Sequence, residues 1–179
     1  MKRAIIYLLL IAIAVALAGI YGMVHNQISY TVSPEYFTKF KFRQFGIVDM
    51  PLTARAKASL VGFLASWWMG IPIGLLAGAS GFIHKTAARM LRQTLKAYLV
   101  LVGFTLFVGL CGLSYGYFNT GSINLVEYRY WYIPEDLLDT RRFLCAGYMH
   151  NSSYLGGVLG IGAAWVYQII AKRRERSPA

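Results

Sequence analysis

AIIYLLLIAIAVALAGIYGMV, residues 4–24, holds no charged side chain and no proline across 21 positions. A helix rises about 1.5 Å per residue and a hydrocarbon core is about 30 Å thick, so this run is long enough to cross a bilayer. In lipid a backbone must satisfy its own polar groups, so the run is expected to be a helix. Three further apolar runs follow, at about 58–83, 97–118 and 148–171. The second contains Gly70, Pro72 and Gly74, where a kink is expected because proline removes an amide donor. The reading is an all-α, four-helix transmembrane bundle forming one integral membrane domain over residues 1–179.

Composition supports that class. The 179 residues are 57% hydrophobic and 14% charged, where a soluble domain has about 45–50% and about 25%. The formal charge of +11 raises the question of nucleic acid. The basic residues lie in short clusters beside apolar runs and form no basic face of a soluble module, so nucleic-acid binding is not expected. Cys111 and Cys145 stand far apart without CxxC spacing, which excludes a thiol-redox or zinc motif.

Lys and Arg set the expected direction. Lys2 and Arg3, then Lys85, Arg89, Arg92 and Lys96, then Lys172, Arg173, Arg174 and Arg176 bracket one side of the spans, with Glu175 the only acid among them. The positive-inside rule puts that side, and both termini, in the cytoplasm. The start also resembles a signal peptide ending at Ala16-Leu17-Ala18. The apolar run continues to Val24, longer than a usual h-region, so a retained helix is expected.

Lipid-embedded helices associate by close packing, which small residues permit. Gly62, Ser66, Gly70, Gly74 and Gly78 repeat every fourth residue, as do Ser152, Gly156, Gly160 and Ala164. The two stripes either face each other or offer a surface to a second copy or another membrane protein. On the first span, Ala14, Ala18, Tyr21 and Gly22 share a helix face with His25.

Residues 24–57 and 119–147 fall on one side of the membrane, expected to be the outer side. Ser33-Pro34-Glu35 reads as a helix start, with Ser33 as N-cap, and Gly46 as its end. The Phe- and Lys-rich residues between suit a segment lying in the headgroup layer, with Phe42 off the apolar face; 38–43 also alternates as a strand would. His-Asn occurs twice, at 25–26 and 150–151, both at outward ends of spans. Residues 25–46, HNQISYTVSPEYFTKFKFRQFG, with ASWWMGIPIGLLAG at 65–78 and MHNSSYLGG at 149–157, resemble an uncharacterised family of small bacterial four-span integral membrane proteins. The resemblance covers nearly the whole chain; it implies a fold and a location, the bacterial inner membrane, and carries over no functional residue.

The candidate pocket comprises His25, Asn26, Gln27, Tyr30, Glu35, His150, Asn151 and Tyr154, at the outward ends of spans one and four. Two imidazoles and a carboxylate form a ligand set for a divalent transition metal, so His25, Glu35 and His150 are the metal-site candidates. Met23 and Met149 beside the histidines would suit copper, and a haem between the two histidines is a lesser option. The bland alternative has both histidines capping helix ends. His84 is expected to be solvated in the cytoplasmic loop, and Trp67 and Trp68 to form an apolar wall in the second span. No HExxH, GxSxG, Walker or dinucleotide motif appears, and no span carries a mid-membrane charge, so neither a known enzyme class nor transport is indicated. Two functions remain from the residues: a pocket for a metal ion or other ligand, or a non-enzymatic accessory subunit held by its small-residue faces in the lipid bilayer. A membrane enzyme acting on lipid or quinone could share the same pocket.

Overall fold

The computed structural model describes residues 2–175, and Arg176 of the tail cluster lies outside them. Among the described residues no strand forms. Helix α1 is Lys2–Val32, α3 is Ala54–Ser66, α4 is Gly70–Ala79, α5 is Ala87–Asn119 and α6 is Thr140–Arg174; α2 is the single turn Phe42–Gln44. A 3₁₀ turn, Trp67–Met69, joins α3 to α4, and another, Ser80–Ile83, ends that span. The four spanning segments have 31, 30, 33 and 35 residues, roughly 45–52 Å each at 1.5 Å per residue. That exceeds the hydrocarbon core by several turns, so their ends reach into the headgroup layers. Helix starts carry side-chain caps: Thr53, Thr86 and Asp139 accept from the amides of Ala56, Arg89 and Arg142.

The second span breaks one turn before Pro72. Proline offers no amide to the Trp68 carbonyl, and the helix tightens to 3₁₀ at residues 67–69 before resuming. The break turns Trp67 and Trp68 outward, where both are exposed. They do not form the interior wall expected from sequence.

The bundle is two helical hairpins. Span two's stripe receives α1: a Cβ on Gly22 would strike the Gly62 carbonyl, one on Gly62 the Gly22 carbonyl, and one on Gly70 the backbone at Val15. Span four's stripe receives α5, with Ser152 against Gly112, Gly156 against Thr105 and Gly160 against Leu101. Each stripe therefore closes its own hairpin, and the two do not face each other. The connections inside the hairpins are the two long ones, 33–53 and 120–139, and the short one, 84–86, joins the hairpins to each other. Close packing of small residues, and not loop length, therefore sets the pairing.

Arg3 donates to the Phe82 carbonyl, Tyr7 to the Leu75 carbonyl at 2.8 Å, and His84 meets Glu175. Residues 3, 82–84 and 175 thus share one end of the bundle, the tail end. The opposite, loop end is covered by residues 33–47. Pro34 opens this segment, the Ser33 hydroxyl accepts from the Tyr36 amide at 3.2 Å, and Gly46 closes it at φ 64°. Both signals act as expected, since only glycine adopts that φ freely. The middle, Tyr36–Lys41, is π-helical, and the Phe42 amide bonds the Phe37 carbonyl five residues back. That wider turn stacks Phe37 and Phe42 on one face, so Phe42 is buried although an α-helical wheel excludes it. The segment docks on Ala58, Val61, Phe143 and Ala146 and so covers the helix ends.

Candidate functional site

Helix α1 continues eight residues past Val24, and this extension builds the site. His25 and Ser29, one turn apart on the same face, are both buried. His150, on the first half of α6, arrives opposite. The imidazole centroids lie 4.6 Å apart with planes at 82°, an edge-to-face contact. The expectation that the two His-Asn pairs converge is met by the two rings.

Each ring is oriented by a second group. His25 Nδ1 lies 3.3 Å from Asn26 Oδ1, and Asn26 Nδ2 donates to the Ala58 carbonyl at 3.0 Å, tying α1 to α3. His150 Nε2 bonds Ser29 Oγ at 3.1 Å, and the Tyr36 ring stacks on His150 at 4.8 Å and 27°. Burial, then the nearby Tyr154, push the Tyr36 phenol well above its ordinary pKa and keep it neutral. Below, Tyr21 donates to Ser153 Oγ at 3.2 Å. One atom is left over: His25 Nε2 is buried without a hydrogen-bond partner among the described residues. The Met149 carbonyl approaches the ring but does not meet bonding geometry.

Both histidines line a cavity of about 100 Å³ between the two hairpins. Its loop-end wall is polar, with His25, His150, Tyr21, Ser153 and Tyr154. Its deeper wall is mostly aliphatic, with Ala14, Ala18, Ile73, Leu101 and Val102, and its Ser66, Tyr98 and Thr105 hydroxyls are taken up by backbone carbonyls. Beside Gly157 the space is open, with no atom within 4 Å of where a Cβ would stand. The volume equals about three waters, or the ring-sized part of a larger molecule.

Of the eight candidates, His25, Asn26, His150 and Tyr154 line this cavity. The other four do not. Gln27 turns to α3, donating to the Arg55 carbonyl at 2.9 Å and to Ser59 Oγ at 2.8 Å. Tyr30 packs on Phe37 beneath the Arg55 guanidinium. Asn151 points to a separate cleft. Glu35 accepts from the Leu138 amide at 3.0 Å and the Asp139 amide at 2.9 Å. A carboxylate is held well there, at the start of α6 where amides stand unpaired.

The expected trio of metal ligands therefore does not come together. Among the described residues no group of three or more His, Cys, Asp or Glu side chains could hold a metal ion. Glu35 is occupied by backbone amides, and one nitrogen of each imidazole is engaged with Asn26 or Ser29. Met23 is exposed while Met149 is buried, so no His/Met set forms either. Rings in direct contact leave no room for a haem between them.

Ser29 and Ser153 are site residues that the sequence reading passed over. They stand four and three residues beyond His25 and His150, a helical turn each. Extending α1 past its apolar run would have revealed Ser29.

His84 is the other correction. It is fully buried, not solvated. Nδ1 meets Glu175 Oε1 at 3.0 Å and Nε2 meets Gln168 Oε1 at 2.7 Å, while Gln168 donates to Thr94 Oγ1 at 2.9 Å. Acceptors thus stand at both ring nitrogens. Glu175 is partly buried, which raises its pKa, but Lys172 and His84 outweigh that and hold the carboxyl below its ordinary value. No family model matches the chain, and no curated protein or solved structure matches it.

Proposed function

We propose that this membrane protein binds a lipid-soluble molecule, with an oxygen-bearing head beneath His25 and His150 and an apolar remainder leaving beside Gly157 into the bilayer. The carrying observation is the buried His25 Nε2, a polar atom without a partner at the rim of a cavity. With Nδ1 donating to Asn26 Oδ1, Nε2 is the acceptor of the neutral ring. Leaving it unsatisfied costs roughly 1–3 kcal/mol, which a ligand's hydroxyl would recover by a small shift of the ring. The division of the walls suits the same class: polar groups gather at one end and aliphatic side chains at the other. Packing of both small-residue stripes within the hairpins supports a pocket over an accessory role, because those faces are already filled.

The test uses protein in nanodiscs and decyl-ubiquinol kept reduced, a neutral hydroquinone whose hydroxyls donate and which carries an alkyl tail. Saturable retention above empty nanodiscs is expected. His25→Phe keeps ring size, removes both nitrogens and should lower affinity about tenfold, the value of one buried hydrogen bond. Wild-type protein that retains no more than empty nanodiscs, or a His25→Phe variant that binds equally well, would sink the reading.

A further inference from the structure

A second cleft, of about 260 Å³, opens at the loop end above the histidine pair. Its walls include Tyr36, Phe40, Trp131, Tyr132 and Asn151, and among the described residues its only charged lining group is Lys41. Trp131 is anchored there by its ring seated on Gly147, where a Cβ could not fit, and by contact with Tyr128 and Tyr148.

At this end Lys39 pairs with Asp136 and Arg142 with Asp139. Lys41, like Arg43, Arg55, Lys57, Arg129 and Arg141, has no carboxylate partner among the described residues, and of these it is the one that lines the cleft. Its ammonium rests 4.4 Å from the Phe40 ring centre and 5.6 Å from that of Tyr36. One bond goes to Gln44 Oε1 at 2.9 Å, and an ammonium has three donors. Partial burial pulls Lys41 down to about 8, a sign that the cation lacks the counter-charge that would offset its lost hydration.

We infer that this cleft holds the phosphate of an anionic lipid headgroup, with Lys41 as the charge partner. The lining carries a cation, the Asn151 amide, the Trp131 indole N–H and tyrosine hydroxyls, and no carboxylate. Phosphate is an acceptor-only anion, so that donor set fits it, whereas a cationic or zwitterionic amine would find no acid. Position selects the lipid as source. The cleft lies where α6 passes from the charged residues 139–142 into its apolar run, flanked by Trp131 and Tyr132, the side chains that settle at the headgroup level. The inference rests on this cleft alone and not on the ligand assigned to the cavity below.

The test is native mass spectrometry of the full chain released from mixed micelles, counting retained phosphatidylglycerol against phosphatidylcholine. Wild-type protein should keep phosphatidylglycerol preferentially. Lys41→Gln should reduce that retention roughly fivefold, the weight of one basic group near a membrane surface. Lys41→Arg should preserve it, and Lys85→Gln at the exposed tail end should leave it unchanged. Soluble glycerol 3-phosphate should not displace the lipid. The inference fails if Lys41→Gln retains as much lipid as wild type, if Lys85→Gln loses as much, or if glycerol 3-phosphate competes fully.

Discussion

Two buried histidine clusters, one at each end of the same bundle, differ in what is left unfinished. At the tail end, His84 has an acceptor at each ring nitrogen, and its partner Gln168 is itself bonded to Thr94. At the loop end, His25 and His150 lie edge to face, and one nitrogen of His25 has no partner. Burial alone is therefore no mark of function here. The closed network ties Ile83 and the end of α6 together, whereas the open one borders a cavity. The difference teaches that the accounting of hydrogen bonds, atom by atom, separates a clamp from a candidate site.

Removing the ring at each end should expose that contrast. His84→Ala leaves Gln168 Oε1 buried without its donor and takes one partner from Glu175, and should cost about 3 kcal/mol of stability. The largest drop in denaturation midpoint of the series is expected in detergent micelles. His150→Ala should cost less, about 2 kcal/mol, through the lost Ser29 bond, the lost Tyr36 stack and a small void. His25→Phe should change stability by no more than about 1 kcal/mol, because Nε2 makes no bond and only the long Nδ1 contact with Asn26 Oδ1, at 3.3 Å, is lost. A loss as large as that of His84→Ala would mean that His25 is a structural clamp too, and the distinction between the ends would collapse.

The smallest effect concerns pH. Glu175 is held below its ordinary value in the folded chain, so its contribution to stability is complete above the unfolded value of 4.5 and fades as pH falls through the lower folded one. Acidification should thus loosen the tail end, seen as faster amide exchange in the last turns of α6. Glu175→Gln should flatten that dependence. Equal loosening of the Glu175→Gln variant would assign the effect to other carboxylates.

Legibility along the chain followed the range of the interactions. The spans came from runs of apolar residues, and the loop segment's ends from Ser33-Pro34 and Gly46, all local signals. The meeting of His25 with His150 was also readable, because the bilayer brings the tips of spans one and four to one level. The wheel failed at Phe42, since a π-helical turn changes the angular period and nothing in residues 36–41 announces it. Glu35 was misassigned because its amide partners lie over a hundred residues away, at the start of α6. His84 was misjudged for the same reason, its acceptors being Gln168 and Glu175.

Residue order by itself determined that this chain has four apolar helices, where they begin and end to within a few turns, and which tips share a side, because hydrophobicity and backbone self-satisfaction act on contiguous stretches. Tertiary packing alone decided that the glycine stripes close separate hairpins, that Glu35 caps α6 instead of joining the histidines, and that a cavity remains under His25. Those outcomes depend on which side chains of distant helices compete for the same few ångströms, and that competition is resolved only when the helices are in contact.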